Sequence, residues 1–205
     1  MGNRKLKITE MGRMNAEEFR ASEKMPLIVV LDDVRSMYNV GSVFRTADAF
    51  RVEAIYLCGI TARPPHAEIH KTALGAEDTV AWRHFLTAQE AVQQLKAEGY
   101  TVLAVEQCEG SIKLGIRNEE LGIDTMPPAS HTIPKSSFLI PHSSKYAVVL
   151  GNEVKGVHQE VVDASDGCIE IPQYGTKHSL NVSTAAGIVI WEFARRLFIP
   201  THLDS

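Results

Sequence analysis

Apolar and polar residues along this chain follow two rhythms. Short continuous apolar runs occupy residues 27–31, 54–58, 101–105 and 146–150, and a further run, Cys168, Ile169 and Ile171, stops at Pro172. Runs of that length without alternation suit strands covered on both faces, as in a parallel sheet. Pro172 cannot donate to a sheet ladder, so the last strand is predicted to end there. Between these runs, apolar residues recur at three-to-four spacing. Val43, Phe44, Ala47 and Phe50 form one helical face. Ala91, Val92 and Leu95 form another, in a helix predicted over 87–98 by the capping pattern of Thr87 and Glu90 and by Gly99 beyond its end. A short helix is predicted over 158–164. Leu180, Ala185, Ala186, Val189, Ile190, Phe193, Ala194 and Leu197 make the longest such face, with Ser179 as its predicted N-cap. Strands alternating with helices give an α/β fold, a mostly parallel sheet flanked by helices.

Other stretches keep neither rhythm. Residues 59–80 read as a loop with one helical turn, in which His66 and His70 stand at i and i+4. That spacing is metal-like, but the Pro64-Pro65 pair and the missing third ligand argue against zinc. Residues 106–145 hold Gly110, Gly115, Gly122, Pro127, Pro128, Pro134 and Pro141 with no sustained period. So long an irregular insertion is usually functional or mobile, and a lid, a substrate arm or decoration all fit it. Residues 1–24 are charged, with Asn15 and Glu18 in an N-cap pattern for a short helix. The expected organisation is an N-terminal helical extension over 1–25 and one domain over 26–205.

Composition narrows the chemistry. At 205 residues and 44% hydrophobic, the chain has material for one full core. A formal net charge of −4 excludes a uniformly basic nucleic-acid surface while leaving room for a local patch. Cys58, Cys108 and Cys168 show no C-x-x-C spacing, so neither a disulfide framework nor a zinc site is expected, and a reducing cytoplasm fits best. No apolar run approaches the ~20 residues of a membrane span, and the N-terminal sequence lacks the apolar core of a signal peptide.

The order strand, loop, helix N-terminus recurs at residues 31–50, 148–164 and 169–182. It exposes backbone N–H groups at the carboxyl end of a sheet, where α/β proteins bind ligands. Taken singly, the polar residues there have ordinary readings: Asn39 before a loop-to-helix junction as a cap or turn residue, Ser179 as a cap, Arg45 as a solvated or ion-paired surface arginine. Arg45 falls off the buried face near its helix start, where the macrodipole disfavours a cation.

Taken together, N-x-G-x-x-x-R from Asn39 to Arg45, then L-G-N-E-x-x-G from Leu150 to Gly156, then I-P-x-x-G-x-x-x-S-L-N-V-S-x-A from Ile171 to Ala185, resemble the motifs of the SpoU/TrmH family of SAM-dependent RNA ribose 2′-O-methyltransferases, in the SPOUT class. The resemblance covers residues 26–196 and is weakest in 106–145. It implies methyl transfer from S-adenosylmethionine to a ribose 2′-hydroxyl of tRNA or rRNA without metal, a C-terminal deep trefoil knot, and a homodimer formed through the C-terminal helix, where Ala185, Ala186 and Gly187 would allow close approach. It puts Arg45 at the catalytic position, with Asn39, Glu153, Ser179 and Asn181 holding RNA, Arg45 or the ribose. Leu150, Gly151, Gly156, Ile171, Leu180 and the backbone at Val105 and Glu106 would cradle the cofactor, and Gln173 stands where the family often has Met. Guanidinium rarely gives up its proton, so stabilising developing negative charge suits Arg45 better than acting as base. A non-catalytic RNA-binding module of the same fold and a base-directed methyltransferase are the alternatives, and joint retention of the polar set favours the enzyme.

Overall fold

The structure is a computed structural model and describes residues 4–7, 10–114 and 144–199. The predicted insertion therefore lies mostly outside the described residues. Its described end, just after the fourth strand, contributes a two-residue strand.

A short helix, α1 (Ala16–Ala21), opens the described fold with a reciprocal capping box: Asn15 accepts from the Glu18 backbone and the Glu18 side chain accepts from the Asn15 N–H. Then β1 (Met25–Asp32), α2 (Met37–Ala49), β2 (Val52–Cys58), α3 (Ala67–Ala73), a 3-10 turn (Ala76–Asp78) and β3 (Trp82–Phe85) follow. Next come α4 (Ala88–Ala97), β4 (Tyr100–Val105) and β5 (Ile112–Lys113), then β6 (Lys145–Leu150), α5 (Gln159–Ala164), β7 (Gly167–Glu170) and α6 (Val182–Leu197). The sheet order is β3-β2-β1-β6-β4-β7-β5, and every neighbouring pair is parallel.

Because successive side chains of a strand point to opposite faces, β1 feeds two cores. Leu27, Val29 and Leu31 pack with Val43, Phe44, Ile69, Ile190 and Phe193 under α2, α3 and α6. Ile28 and Val30 pack with Val92, Leu95, Val149 and Val161 under α4 and α5. The apolar runs of the sequence are thus strands covered on both sides, as their lack of alternation predicts. No helix among the described residues is long and apolar enough to cross a membrane.

Some expectations change. Residues 59–80 hold two helical segments where one turn was expected, and β3 is a strand the pattern conceals: Arg83 and His84 interrupt its apolar residues because it is an edge strand with one partner, β2. The N-cap of α6 is Asn181 and not Ser179: Asn181 Oδ1 accepts from Ser183 N at 2.9 Å and from Thr184 N at 3.4 Å. The buried face of α6 runs through Val182, Ala186, Val189, Ile190, Phe193, Ala194 and Leu197, leaving Leu180 39% exposed. Ala186 is wholly inside the core and offers no surface to a second subunit. Glu192, also buried, is held by Arg195 and Arg196 one turn on.

The crossing of α2 and α3 sets the position of everything on α2. A β-carbon at Gly41 would overlap Thr72 Oγ1 and the carbonyl oxygen of Ile69, so the helices meet backbone to backbone there. Gly41→Ala should therefore lower unfolding free energy by about 1–3 kcal/mol, the usual range for forcing an extra carbon into a packed contact. Urea denaturation checks it, and unchanged stability would mean that α3 yields freely.

Candidate active site

The loops after β1, β4, β6 and β7 leave the same edge of the sheet. The loop after β6 closes on itself: Asn152 N donates to Gly156 O at 3.0 Å and Gly156 N to Asn152 O at 2.9 Å. Inside it, Asn152 Oδ1 accepts from Val154 N and Lys155 N, and Asn152 Nδ2 donates to the carbonyl of Asp33 at 2.8 Å. Glycine is required at both ends. Gly156 sits at φ +71, and a β-carbon on Gly151 would overlap the backbone of Gly156 and Val157. Glu106, just past β4, fastens the loop by accepting from Val157 N at 3.1 Å and from Gln107 N at 3.0 Å. A β-carbon on Gly156 would overlap that same carboxylate.

These loops surround a cavity of about 800 Å³. Val105, Glu106, Leu150, Gly151, Gly156, Ile171, Gln173 and Leu180 all line it, so every residue assigned to the cofactor by resemblance lies around one space. Glu153 and Ser179 line it too. The sequence reading had no place for Gln107, whose Nε2 donates to the His178 carbonyl at 3.1 Å and joins the β4 and β7 loops across the rim. Cys108 and Cys168, to which the sequence assigned no part in the site, also border the cavity. Burial, followed by a hydrogen bond with the Cys108 thiol, pushes the Cys168 thiol up to about 12.

A polar chain runs along the cavity's outer side. Glu153 accepts from Arg35 N at 3.1 Å, Ser36 N at 3.0 Å and Asn39 Nδ2 at 3.0 Å. Asn39 Oδ1 in turn accepts from Asn181 Nδ2 at 3.1 Å. Partial burial would raise the Glu153 carboxyl, but the Ser36 and Arg35 backbone donors, followed by Asn39, outweigh it and hold the group below the usual carboxylate range. A carboxylate so loaded is a poor base and a firm tie. Asn39 is not the cap of α2: Ser36 is, through its Oγ. Asn39, Glu153 and Asn181 are thus brought together, with Ser179 nearby on the cavity wall. Arg45 is not among them. It is exposed farther along α2 and has no hydrogen bond or ion pair among the described residues.

Beside the site, the sequence reading missed a second tie. His158 donates its backbone N–H to Asp32 Oδ2 at 3.0 Å, and His158 Nδ1 lies 2.9 Å from the same oxygen. Asp32 is 3% exposed, and an acid completing an apolar strand was the signal available for it. The nearest approach to a metal-binding set among the described residues is Asp32, Asp33 and His158, which this direct bond already closes. The hydrogen bond to Asp32, then the charge of Asp32, raises the imidazole above its ordinary value against a smaller opposing effect of burial. A raised imidazole stabilises the fold fully below its unfolded value, and that stabilisation is lost as pH rises through the folded value. Melting temperature should therefore decline as pH rises past the ordinary imidazole value of 6.5, and His158→Gln should flatten the decline. An unflattened profile in the variant would assign the pH dependence to other groups.

Comparison with known proteins bears on this geometry. The model of the SpoU rRNA Methylase family matches residues 26–191. The mouse tRNA (guanosine(18)-2′-O)-methyltransferase TARBP1 is 30% identical over 83% of this chain, which spans only 9% of that protein. The tRNA (guanosine(18)-2′-O)-methyltransferase of Thermus thermophilus is 29% identical over 92% of this chain and 84% of its own length. Among solved structures, the AdoMet-bound rRNA methyltransferase of Sinorhizobium meliloti superposes with a TM-score of 0.67 at 26% identity, over 88% of this chain and 60% of that one.

Proposed function

This chain belongs to the SpoU rRNA methylase family, and from that premise and the geometry of its loops we propose that it transfers a methyl group from S-adenosylmethionine to a ribose 2′-hydroxyl of tRNA or rRNA. The observation that carries the reading is the convergence of the motif residues on one cavity, with Asn39, Glu153 and Asn181 bonded in a chain at its side. The AdoMet-bound neighbour supports the choice of cofactor.

The cavity fits such a molecule. Its volume of about 800 Å³ lies within the ~300–1,000 Å³ of small-molecule sites, and its walls combine backbone and apolar groups with polar side chains in similar number, among them the carboxylates of Glu106, Glu109, Asp163 and Glu170. The glycines at 151 and 156 let the loop close into the wall of this space, and Leu150, Ile171 and Leu180 would supply apolar contact. When bound, S-adenosylmethionine supplies an electrophilic methyl group. The chain's own task is then to align a hydroxyl with it and to ease the loss of that hydroxyl's proton. Asn181, Ser179 and Asn39 present amide and hydroxyl groups to a ribose at the cavity mouth. Arg45, with no ion pair among the described residues, would stabilise the negative charge that grows on the 2′-oxygen, while a neighbouring phosphate of the RNA would take the hydroxyl proton and pass it to water. Glu153 orients Asn39 and leaves proton removal to other groups.

Assembly and topology are part of the same proposal. Gly187 has open space around its α-carbon, and Ile188 and Trp191 are 38% and 49% exposed along the same side of α6, which suits a homodimer formed through this helix. The interface would use Gly187, Ile188 and Trp191. Trp191→Glu should convert a dimer to monomers in sedimentation, and a wild-type monomer would remove this element. The C-terminal trefoil knot and a cytoplasmic setting are carried by the family resemblance.

The activity has a direct test. The protein, labelled S-adenosylmethionine and unfractionated cellular RNA should yield, after alkaline hydrolysis, a labelled alkali-resistant dinucleotide, because cleavage needs a free 2′-hydroxyl. Label found only in mononucleotides with a methylated base would overturn the ribose assignment. Arg45→Ala should cut turnover by at least ~10²-fold, the low end for a charge-stabilising group, with S-adenosylmethionine affinity by calorimetry unchanged. Full turnover in the variant would remove Arg45 from the chemistry.

A further inference from the structure

Several cations in this acidic molecule have acid partners: Arg4 with Glu10, Lys96 with Asp166, Lys113 with Glu170, and Arg195 and Arg196 with Glu192. Three on and beside α2 do not. Arg35, Arg45 and Lys71 are exposed, and none has a carboxylate at ion-pair distance among the described residues. Left unneutralised, they form a local positive field on a chain of net charge −4.

An aromatic ring lies among them. Tyr38 is 45% exposed in the first turn of α2, and with Ser42 and Arg45 it stands at i, i+4 and i+7, one solvent-facing stripe of the helix. The backbone at this tyrosine carries two side-chain hydrogen bonds. Its carbonyl accepts from Ser42 Oγ at 2.8 Å and from Thr72 Oγ1 at 2.9 Å, the latter across the glycine crossing of α2 and α3. The ammonium of Lys71 lies 5.9 Å from its ring centroid. Its neighbour Asn39 turns the other way, into the bonded chain beside the cavity. One helix turn thus sends one side chain to the proposed reacting ribose and the next outward as a flat platform with a cation beside it.

Platforms of this kind, an aromatic face beside a cation, bind single-stranded nucleic acid by base stacking and phosphate contact. We propose that Tyr38, with Lys71 beside it, stacks an unpaired base adjoining the target nucleotide and so selects a single-stranded stretch of RNA as substrate. This inference rests on the methyltransferase reading of the neighbouring cavity. It adds a specificity element outside that cavity: the site requires a splayed, unstacked neighbour and is closed to a continuous duplex.

The test uses the full chain with a fluorescently labelled oligouridylate for affinity and unfractionated cellular RNA for turnover. Tyr38→Ala should weaken oligouridylate binding by about tenfold, while Tyr38→Phe, which keeps the ring, binds like the wild type. With cellular RNA, Tyr38→Ala should raise KM and leave kcat and S-adenosylmethionine affinity as they were. Lys71→Ala should reduce the slope of log affinity against log salt by about 0.7, one single-strand phosphate contact. Wild-type binding by Tyr38→Ala overturns the proposal, as does failure of Tyr38→Phe to restore it. A change of oligomeric state in Tyr38→Ala would assign the ring to a second copy of the chain and overturn it also. If the wild type methylates no RNA, the methyltransferase reading falls and takes this inference with it. If the wild type methylates and Tyr38→Ala does so with unchanged KM, the inference alone falls.

Discussion

The carboxylate of Glu153 joins two parts of the chain that are distant in sequence. It reaches from the loop after β6 to the start of α2, where the backbone donors of Arg35 and Ser36 and the amide of Asn39 converge on it. A helix N-terminus carries several N–H groups with no partner inside the helix, and an acid placed there satisfies them and meets the positive end of the helix dipole. The same bonds that complete α2 therefore lock the cavity loop against β1. Asn39 passes the constraint to Asn181, the cap of α6, so the amino ends of two helices and the glycine-bounded loop share one set of hydrogen bonds.

The other ties to this loop repeat the logic with different partners. Glu106 fixes its far end through Val157 N, Asn152 fixes it to the Asp33 carbonyl, and Asp32 fixes the entry to α5 through His158. Each is an acid or amide meeting backbone groups, so the loop's shape depends little on long flexible side chains. Exposed Arg45 takes no part in these ties among the described residues.

The legibility of the sequence followed the nature of each signal. Strands covered on both faces announced themselves because burial demands unbroken apolar runs, and caps such as Thr87 and Asn15 were visible because they act within three residues. The edge strand β3 was hidden, since a half-covered strand tolerates Arg83 and His84. Ser179 was chosen as the cap of α6 over Asn181 because both are good capping residues two positions apart, and local spacing does not say which side chain turns back on the helix. The cavity residues were legible as motifs through resemblance, but their physical reasons were not. That Gly151 and Gly156 are forced depends on a loop folding onto itself and onto Glu106, and that Glu153 ties down α2 depends on a contact between segments over a hundred residues apart. The Asp32–His158 bond was illegible for the same reason.

The meeting of α2 and α3 at Gly41 bears on how this surface can change over time. With the two helices in backbone contact, α2 cannot slide or roll to accommodate a different length of chain between its functional side chains. One residue inserted between Tyr38 and Arg45 would turn one relative to the other by about 100°, since the helix has 3.6 residues per turn. Either the outward stripe or the inward amide would then be lost. Exchange of side chains on α2 and growth in the loops around it leave this geometry intact, whereas a change in the length of the helix between Asn39 and Arg45 does not.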